Sequence, residues 1–192
     1  MIDILCVIFA GGKSSRMGED KALLPFGGFN TLTEFQYSRL SKIFKTVYIS
    51  CRDKSKFDFD ASFIEDAKDS AVYAPTAGFV ASLKELQTER FFVLSVDAPF
   101  VDAEIIEALF YADTSNNDAT IAKSAYGMEP LCGIYHKSLE AKFLLMQKDN
   151  SHKLGKLLKA SNTSFILCDN EEKFLNLNHP HDYKQALKII SN

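Results

Sequence analysis

The sequence predicts an α/β chain in which a mainly parallel sheet is covered on both sides by helices. Apolar runs of strand length alternate with helical patterns almost throughout, the order that βαβ units produce. The run Phe91-Phe92-Val93-Leu94-Ser95-Val96 is unbroken and bounded by charged residues, as in a strand buried on both faces of a parallel sheet. A first run, beginning near Cys6, stops at Gly11 and Gly12 and gives way to a polar loop.

With 192 residues and 46% hydrophobic content, residues 1–192 suit one domain large enough to bury a core on both sheet faces. The formal net charge of −3 gives no global attraction for nucleic acid or a membrane surface, so an anionic ligand must be held by a local cluster of cations. The apolar start at Ile4 is too short for a membrane span and lacks the marks of a secretory signal, so cytoplasmic residence is expected. Cys6, Cys51, Cys132 and Cys168 have no close pair and no metal-ligand spacing, and read as reduced thiols. His179 and His181 flank a proline and read as a turn rather than a metal pair.

Taken in order, the first loop carries Lys13, Arg16 and Lys21 behind the two glycines. Glycine lets backbone N–H groups approach a polyphosphate while cations neutralise it, so this stretch reads as a phosphate cradle. A Walker A motif is excluded because Val7 stands where its first glycine is needed, and the dinucleotide fingerprint is excluded because Lys13 and Ser14 interrupt the glycine spacing. Thr31 and Glu34 have capping-box spacing and open a helix to about Phe44, with Tyr37, Leu40, Ile43 and Phe44 inward. A strand over Thr46 to Ser50 places Ser50, Cys51 and Arg52 beside the cradle, since ligands in open α/β sheets sit outside the carboxyl ends of strands. Phe63-Ile64 is a short strand into Glu65-Asp66, and Ala74 to Gly78 introduces a helix through Leu86.

Asp97 ends the central strand, and Asp102 caps a helix with Ile105, Ile106, Leu109 and Phe110 inward. Asn116-Asn117-Asp118 turns into a strand over Ala119 to Lys123, and Met128 to Tyr135 forms another. A helix covers Leu139 to Met146, and Ser151 is expected to cap the next. Alternation puts Asn176 and Asn178 on one face of an extended segment. Pro180 then starts the last helix, through Leu187 and Ile190.

Phe9-Ala10-Gly11-Gly12, then Ser15-Arg16-Met17-Gly18, then Asp20-Lys21-Ala22-Leu23-Leu24 resembles the signature of nucleotidyltransferases with a Rossmann-like core. Within them it is most similar to the molybdenum cofactor guanylyltransferases. Asp97-Ala98-Pro99-Phe100, Pro130-Leu131-Cys132-Gly133-Ile134-Tyr135 and Phe174 to Asp182 carry the likeness along nearly the whole chain. Phe9 stands where Leu is usual, Ser50 where the family has an Asn-containing stretch, and Ala74 where it has Gly.

The resemblance implies a three-layer α/β/α sandwich like that of the nucleotide-diphospho-sugar transferases, with a nucleotide-binding N-terminal part and an acceptor-binding C-terminal part. It implies transfer of GMP from GTP to the phosphate of molybdenum-loaded molybdopterin, with Mg²⁺ as cofactor and molybdenum cofactor insertion proteins and molybdoenzymes as partners. Nucleotide contacts then fall to Phe9, Ala10, Gly11, Gly12, Lys21, Ser50, Asp66, Gly78 and Asp97. Asp97 would hold the metal, Arg16 and Lys21 would offset the β- and γ-phosphate charge, and Asp66 would accept from guanine N1–H and its exocyclic amine. Acceptor contacts fall to Pro130, Gly133, Lys153, Asn176 and Asn178. Close packing would explain Gly78 and Gly133, a solvated loop acid Asp66, a surface cation Lys153, and loop support the two asparagines. A cytidylyltransferase with the same cradle, or a cofactor chaperone that binds nucleotide without chemistry, stays open on the sequence.

Overall fold

The structure, a computed structural model, describes residues 1–12, 16–66 and 74–191. Seven strands form one sheet in the order β3-β2-β1-β4-β6-β5-β7. They are β1 (Leu5–Phe9), β2 (Val47–Cys51), β3 (Ser62–Glu65), β4 (Arg90–Ser95), β5 (Ala119–Ser124), β6 (Gly127–His136) and β7 (Thr163–Leu167). β1 pairs in parallel with β2 and β4, β2 with β3, and β5 with β7. β6 runs antiparallel to both β4 and β5. The expectation of a mainly parallel sheet therefore holds, with one strand reversed.

Residue parity along β1 and β4 assigns two cores. Cys6, Ile8, Phe92 and Leu94 face one side, where they meet α1 (Leu32–Leu40), α3 (Ala103–Ala112) and α6 (Pro180–Ile190). Val7, Phe9, Phe91 and Val93 face the other and meet α2 (Pro75–Leu86), α4 (Glu140–Lys148) and α5 (Leu154–Lys159). Because consecutive strand residues alternate sides and both sides are covered, the central strands are apolar at nearly every position. The result is the expected three-layer α/β/α sandwich. Phe79 anchors the second layer, stacking on Phe143 with ring centroids 4.4 Å apart and packing at the same distance from Tyr135; such pairs add about 0.5–1.5 kcal/mol to their burial.

Expected caps are present at two helices. Thr31 Oγ1 accepts from the Glu34 amide at 3.0 Å, and Asp102 Oδ1 from the Ile105 amide at 3.2 Å. Pro180 opens α6, and the His179 amide donates to Asp182 Oδ2 at 2.8 Å.

Most element ends fall within one or two residues of the sequence reading; the end of α1 and the capping of α5 differ in kind. α1 ends at Leu40, not near Phe44, because the chain tightens into a turn there and the Ile43 carbonyl accepts from the Ile2 amide at 2.8 Å. Phe44 is thereby delivered to stack on Phe92 at 5.2 Å. Ser151 does not cap α5, which starts at Leu154 without a side-chain cap. Its amide instead donates to the Met146 carbonyl at 2.9 Å, closing α4 behind Asn150 at φ +50°, a left-handed helix ending that asparagine tolerates.

Candidate active site

Three neighbouring strands end side by side. Phe9 pairs with Ser50 and with Ser95, the Ala10 amide donates to the Ser50 carbonyl at 2.8 Å, and the Val96 amide to the Phe9 carbonyl at 3.0 Å. The glycine turn after β1 and Asp97 after β4 therefore leave the same edge of the sheet, where open α/β folds place their ligands.

Lys21 returns to this edge on a single turn of 3₁₀ helix over Lys21–Leu23. Asp20 Oδ1 caps the turn at the Ala22 amide, 3.2 Å away, and Thr33 Oγ1 donates to the Ala22 carbonyl at 2.8 Å, tying the loop to α1. So positioned, Lys21 Nζ forms an ion pair with the Asp97 carboxylate and donates to Asn178 Oδ1 at 3.3 Å. The Leu177 amide donates to the Asp97 carbonyl at 2.9 Å, which brings the C-terminal asparagine segment to the end of β4. A lysine from the first loop, an aspartate from the middle and an asparagine from the end of the chain thus meet at one point.

Two clefts adjoin there. The smaller, of about 160 Å³, is bounded by Phe9, Gly11, Gly12, Ser50, Asp66 and Gly78. The larger, of about 370 Å³, is bounded by Glu129, Pro130, His152, Phe174, Asn176 and Asn178. Asp97 lines both.

Glycines shape the smaller cleft. A Cβ on Gly78 would lie 2.9 Å from Ser50 Oγ and 3.0 Å from the Phe9 ring, so this position both packs α2 against the sheet and opens the wall. A Cβ on Gly11 would come within 3.3 Å of Asp66 Oδ2, whereas one on Gly12 would meet nothing within 4 Å. Asp66 is held by its amide, which donates to the Cys51 carbonyl at 2.9 Å, and by Ser50 Oγ, which donates to its Oδ1 at 3.3 Å. Burial pushes the Asp66 carboxyl up to about 6, against the opposing pull of the Ser50 hydrogen bond and the Arg52 charge.

A matching family model covers residues 6–164 and describes a MobA-like NTP transferase domain. The chain belongs to that family. A protein of Campylobacter jejuni named molybdenum cofactor guanylyltransferase is 39% identical to it over 95% of both chains. A protein of the same name from Helicobacter pylori is 35% identical over 98% of this chain and 94% of its own. Among solved structures, the molybdopterin-guanine dinucleotide biosynthesis protein A of Archaeoglobus fulgidus superposes with a TM-score of 0.83 at 25% identity, covering 98% of this chain and 99% of its own.

In this MobA-like domain the residues expected at the nucleotide fall mostly around the smaller cleft. Ala10 is buried in the core on the α1 side of the sheet and does not line it, and Arg16 is exposed and lines neither cleft. Lys13 lies outside the described residues. Of the residues expected at the acceptor, Pro130, Asn176 and Asn178 line the larger cleft. Gly133 sits inside the sheet opposite Val93, where a Cβ would lie 2.4 Å from the Thr120 carbonyl oxygen, so packing accounts for it. Lys153 is exposed and outside both clefts, while its neighbour His152 lines the larger one with Nδ1 2.5 Å from Thr76 Oγ1.

Sequence reasoning missed the brace behind Asp97. Gln36 Nε2 donates to the Val96 carbonyl at 3.0 Å, and Arg39 Nη1 to the Val101 carbonyl at 2.6 Å. Arg39 Nε also donates to Gln36 Oε1 at 2.6 Å. Burial lowers the Arg39 guanidinium to about 10, which leaves it charged at neutral pH. The available signal was two long polar side chains three residues apart, between the inward-facing Leu32 and Leu40.

Proposed function

We propose that this MobA-like chain transfers GMP from GTP to the terminal phosphate of molybdenum-loaded molybdopterin, releasing pyrophosphate and forming the guanine dinucleotide cofactor. The naming of its relatives over nearly full length supports the guanylyl transfer. The observation that carries the site assignment is the placement of Asp97, paired with Lys21, where two clefts meet. In this reading the smaller cleft takes GTP and the larger the acceptor, so the N-terminal part serves the nucleotide and the C-terminal part the acceptor.

An oxygen of the acceptor phosphate attacks the α-phosphorus, the bond from that phosphorus to the bridging oxygen breaks, and pyrophosphate carries away the electron pair. No nucleophile from the protein is needed, so its work is positioning and charge stabilisation. Gly11 and Gly12 offer backbone N–H groups without obstructing side chains, and Lys21, with Arg16 on the same loop, offsets phosphate charge. Asp66 accepts from guanine N1–H and the exocyclic amine. Asp97 and Asn178 Oδ1 both accept from the one ammonium of Lys21, so an anionic and a neutral oxygen converge on one centre of positive charge, a donor set that suits a hard divalent cation. Among the described residues no three His, Cys, Asp or Glu side chains cluster as a complete metal cage, so such an ion would complete its shell with water and phosphate oxygens. Mg²⁺ held there would supply Lewis-acid stabilisation of the α-phosphate. The chain would act in the cytoplasm and pass its product to cofactor insertion proteins or molybdoenzymes; among the described residues no helix is long and apolar enough to cross a membrane.

The deciding experiment incubates the purified chain and Mg²⁺ with the acceptor and either GTP or CTP, following pyrophosphate and product mass. Product from GTP alone is expected. Product from CTP instead would make the chain a cytidylyltransferase, and binding without product from either would make it a carrier.

A further inference from the structure

Glu129 lines the larger cleft, yet the transfer step gives it no task. Because β6 runs against β4 and their last pair is Leu94 with Cys132, the first residues of β6 project past the end of the central strand. The pairing with β5 also shifts register between Ile121 and Lys123, and such irregularities re-aim side chains. Glu129 sits on this projecting stretch. Its Oε1 accepts from Ser124 Oγ at 2.8 Å, and Ser124 is 1% exposed, so the carboxylate is fixed from behind. Oε2 makes no hydrogen bond among the described residues. Burial raises the Glu129 carboxyl above its ordinary range, the Ser124 bond partly reverses this, and the charge of Asp97 adds to the rise. A carboxylate so placed gains from any ligand that brings N–H donors. Val101, Leu131, Leu154 and Phe174 supply apolar walls to the same cleft, a lining that suits a flat heteroaromatic ring.

We propose that Glu129 recognises the acylguanidine edge of the acceptor's pterin, accepting the ring N–H and the exocyclic amine together. This rests on the reading of the larger cleft as the acceptor site. Guanine carries the same edge, and the smaller cleft has its own carboxylate in Asp66. Each cleft then offers one carboxylate to one acylguanidine, with Asp97 between them.

Pterin and lumazine, in which an oxo group replaces the amine, serve as fluorescent probes for the protein with Mg²⁺ and a non-hydrolysable GTP analogue filling the smaller cleft. The wild type is expected to bind pterin at least about tenfold more tightly than lumazine, since a lost N–H leaves a charged acceptor unpaired. Glu129→Gln should erase most of that preference, because its amide keeps the Ser124 bond through oxygen but presents a donor where an acceptor is needed. Equal binding of both probes by the wild type, no pterin binding, or an unchanged preference in the variant would overturn the assignment. A changed Mg²⁺ dependence of pyrophosphate release with the preference intact would assign Glu129 to the metal instead, and also overturn it. Product formation from GTP is read separately. A pterin preference that depends on Glu129 without product refutes the transferase reading alone, and product without such a preference refutes only the role of Glu129.

Discussion

Replacing Asp66 by Asn should stabilise the protein and weaken its hold on GTP, and pH separates the two effects. The folded protein holds this carboxyl's proton more tightly than the unfolded chain does, because burial raises it from 3.8 to about 6. Stability from this group is therefore full below about 4, falls as pH rises through 6, and is lost above about 7. At about 1.4 kcal/mol per tenfold change in acidity the ceiling is about 3 kcal/mol. Asp66 is partly exposed, so screening reduces the expected gain to about 1–2 kcal/mol. Asn keeps an acceptor for Ser50 Oγ and loses only the ionisation. Urea unfolding of both proteins between pH 4 and pH 8 should give curves that diverge as pH rises, with the variant above. GTP affinity should respond in the opposite sense. In the wild type it should climb through pH 6 as the carboxylate forms, while the variant stays low and without that rise. A stability gap independent of pH, or parallel affinity profiles, would refute both the cause given for the raised carboxyl and its place at the base.

Asp97→Ala should lower kcat for pyrophosphate release by about 10³-fold, the scale of several kcal/mol from a metal and its ligand; a wild-type rate would remove Asp97 from metal binding. Lys21→Ala should weaken GTP binding and turnover by about 10- to 100-fold, the range for a hydrogen bond to a charged group, and calorimetry showing unchanged affinity would exclude it from the cradle. Arg39→Met, which frees the Val101 carbonyl and Gln36 Oε1, should cost about 2–4 kcal/mol in unfolding and lower kcat more than it raises the KM for GTP. Gly133→Ala should destabilise by about 1–3 kcal/mol through overpacking, with the acceptor KM unchanged in the folded fraction; a selective rise in that KM would restore Gly133 to the acceptor site.

Strand ends were legible because burial on both sheet faces writes an uninterrupted apolar run, and whatever follows it must sit at the sheet edge. That rule places Gly11, Ser50 and Asp97 at one edge from the sequence alone. Partners distant in sequence were not legible. Ile2 claims the Ile43 carbonyl and shortens α1, and Met146 claims the Ser151 amide. On the approach to α5, the cleft-facing side chain is His152 rather than Lys153, and the sequence has no helical phase to decide it before Leu154. Gln36 and Arg39 read as ordinary polar residues of an amphipathic helix, since nothing local says that a backbone turn from β4 lies beneath them. Nothing in the sequence singles out Glu129, because strand alternation says nothing of how far β6 overshoots its neighbour.

The reversal of β6 sets how this wall can vary. A strand in a hairpin changes length only in register with its partner, and slipping by one residue sends every side chain to the other face. Part of the smaller cleft's wall, Gly11 and Gly12 after β1 and Asp66 after β3, lies in loops, which tolerate insertion one residue at a time. Descendants or designs that accept a different partner molecule would therefore be expected to exchange side chains along the overshoot, or to extend it by pairs, while the opposite wall drifts in length freely.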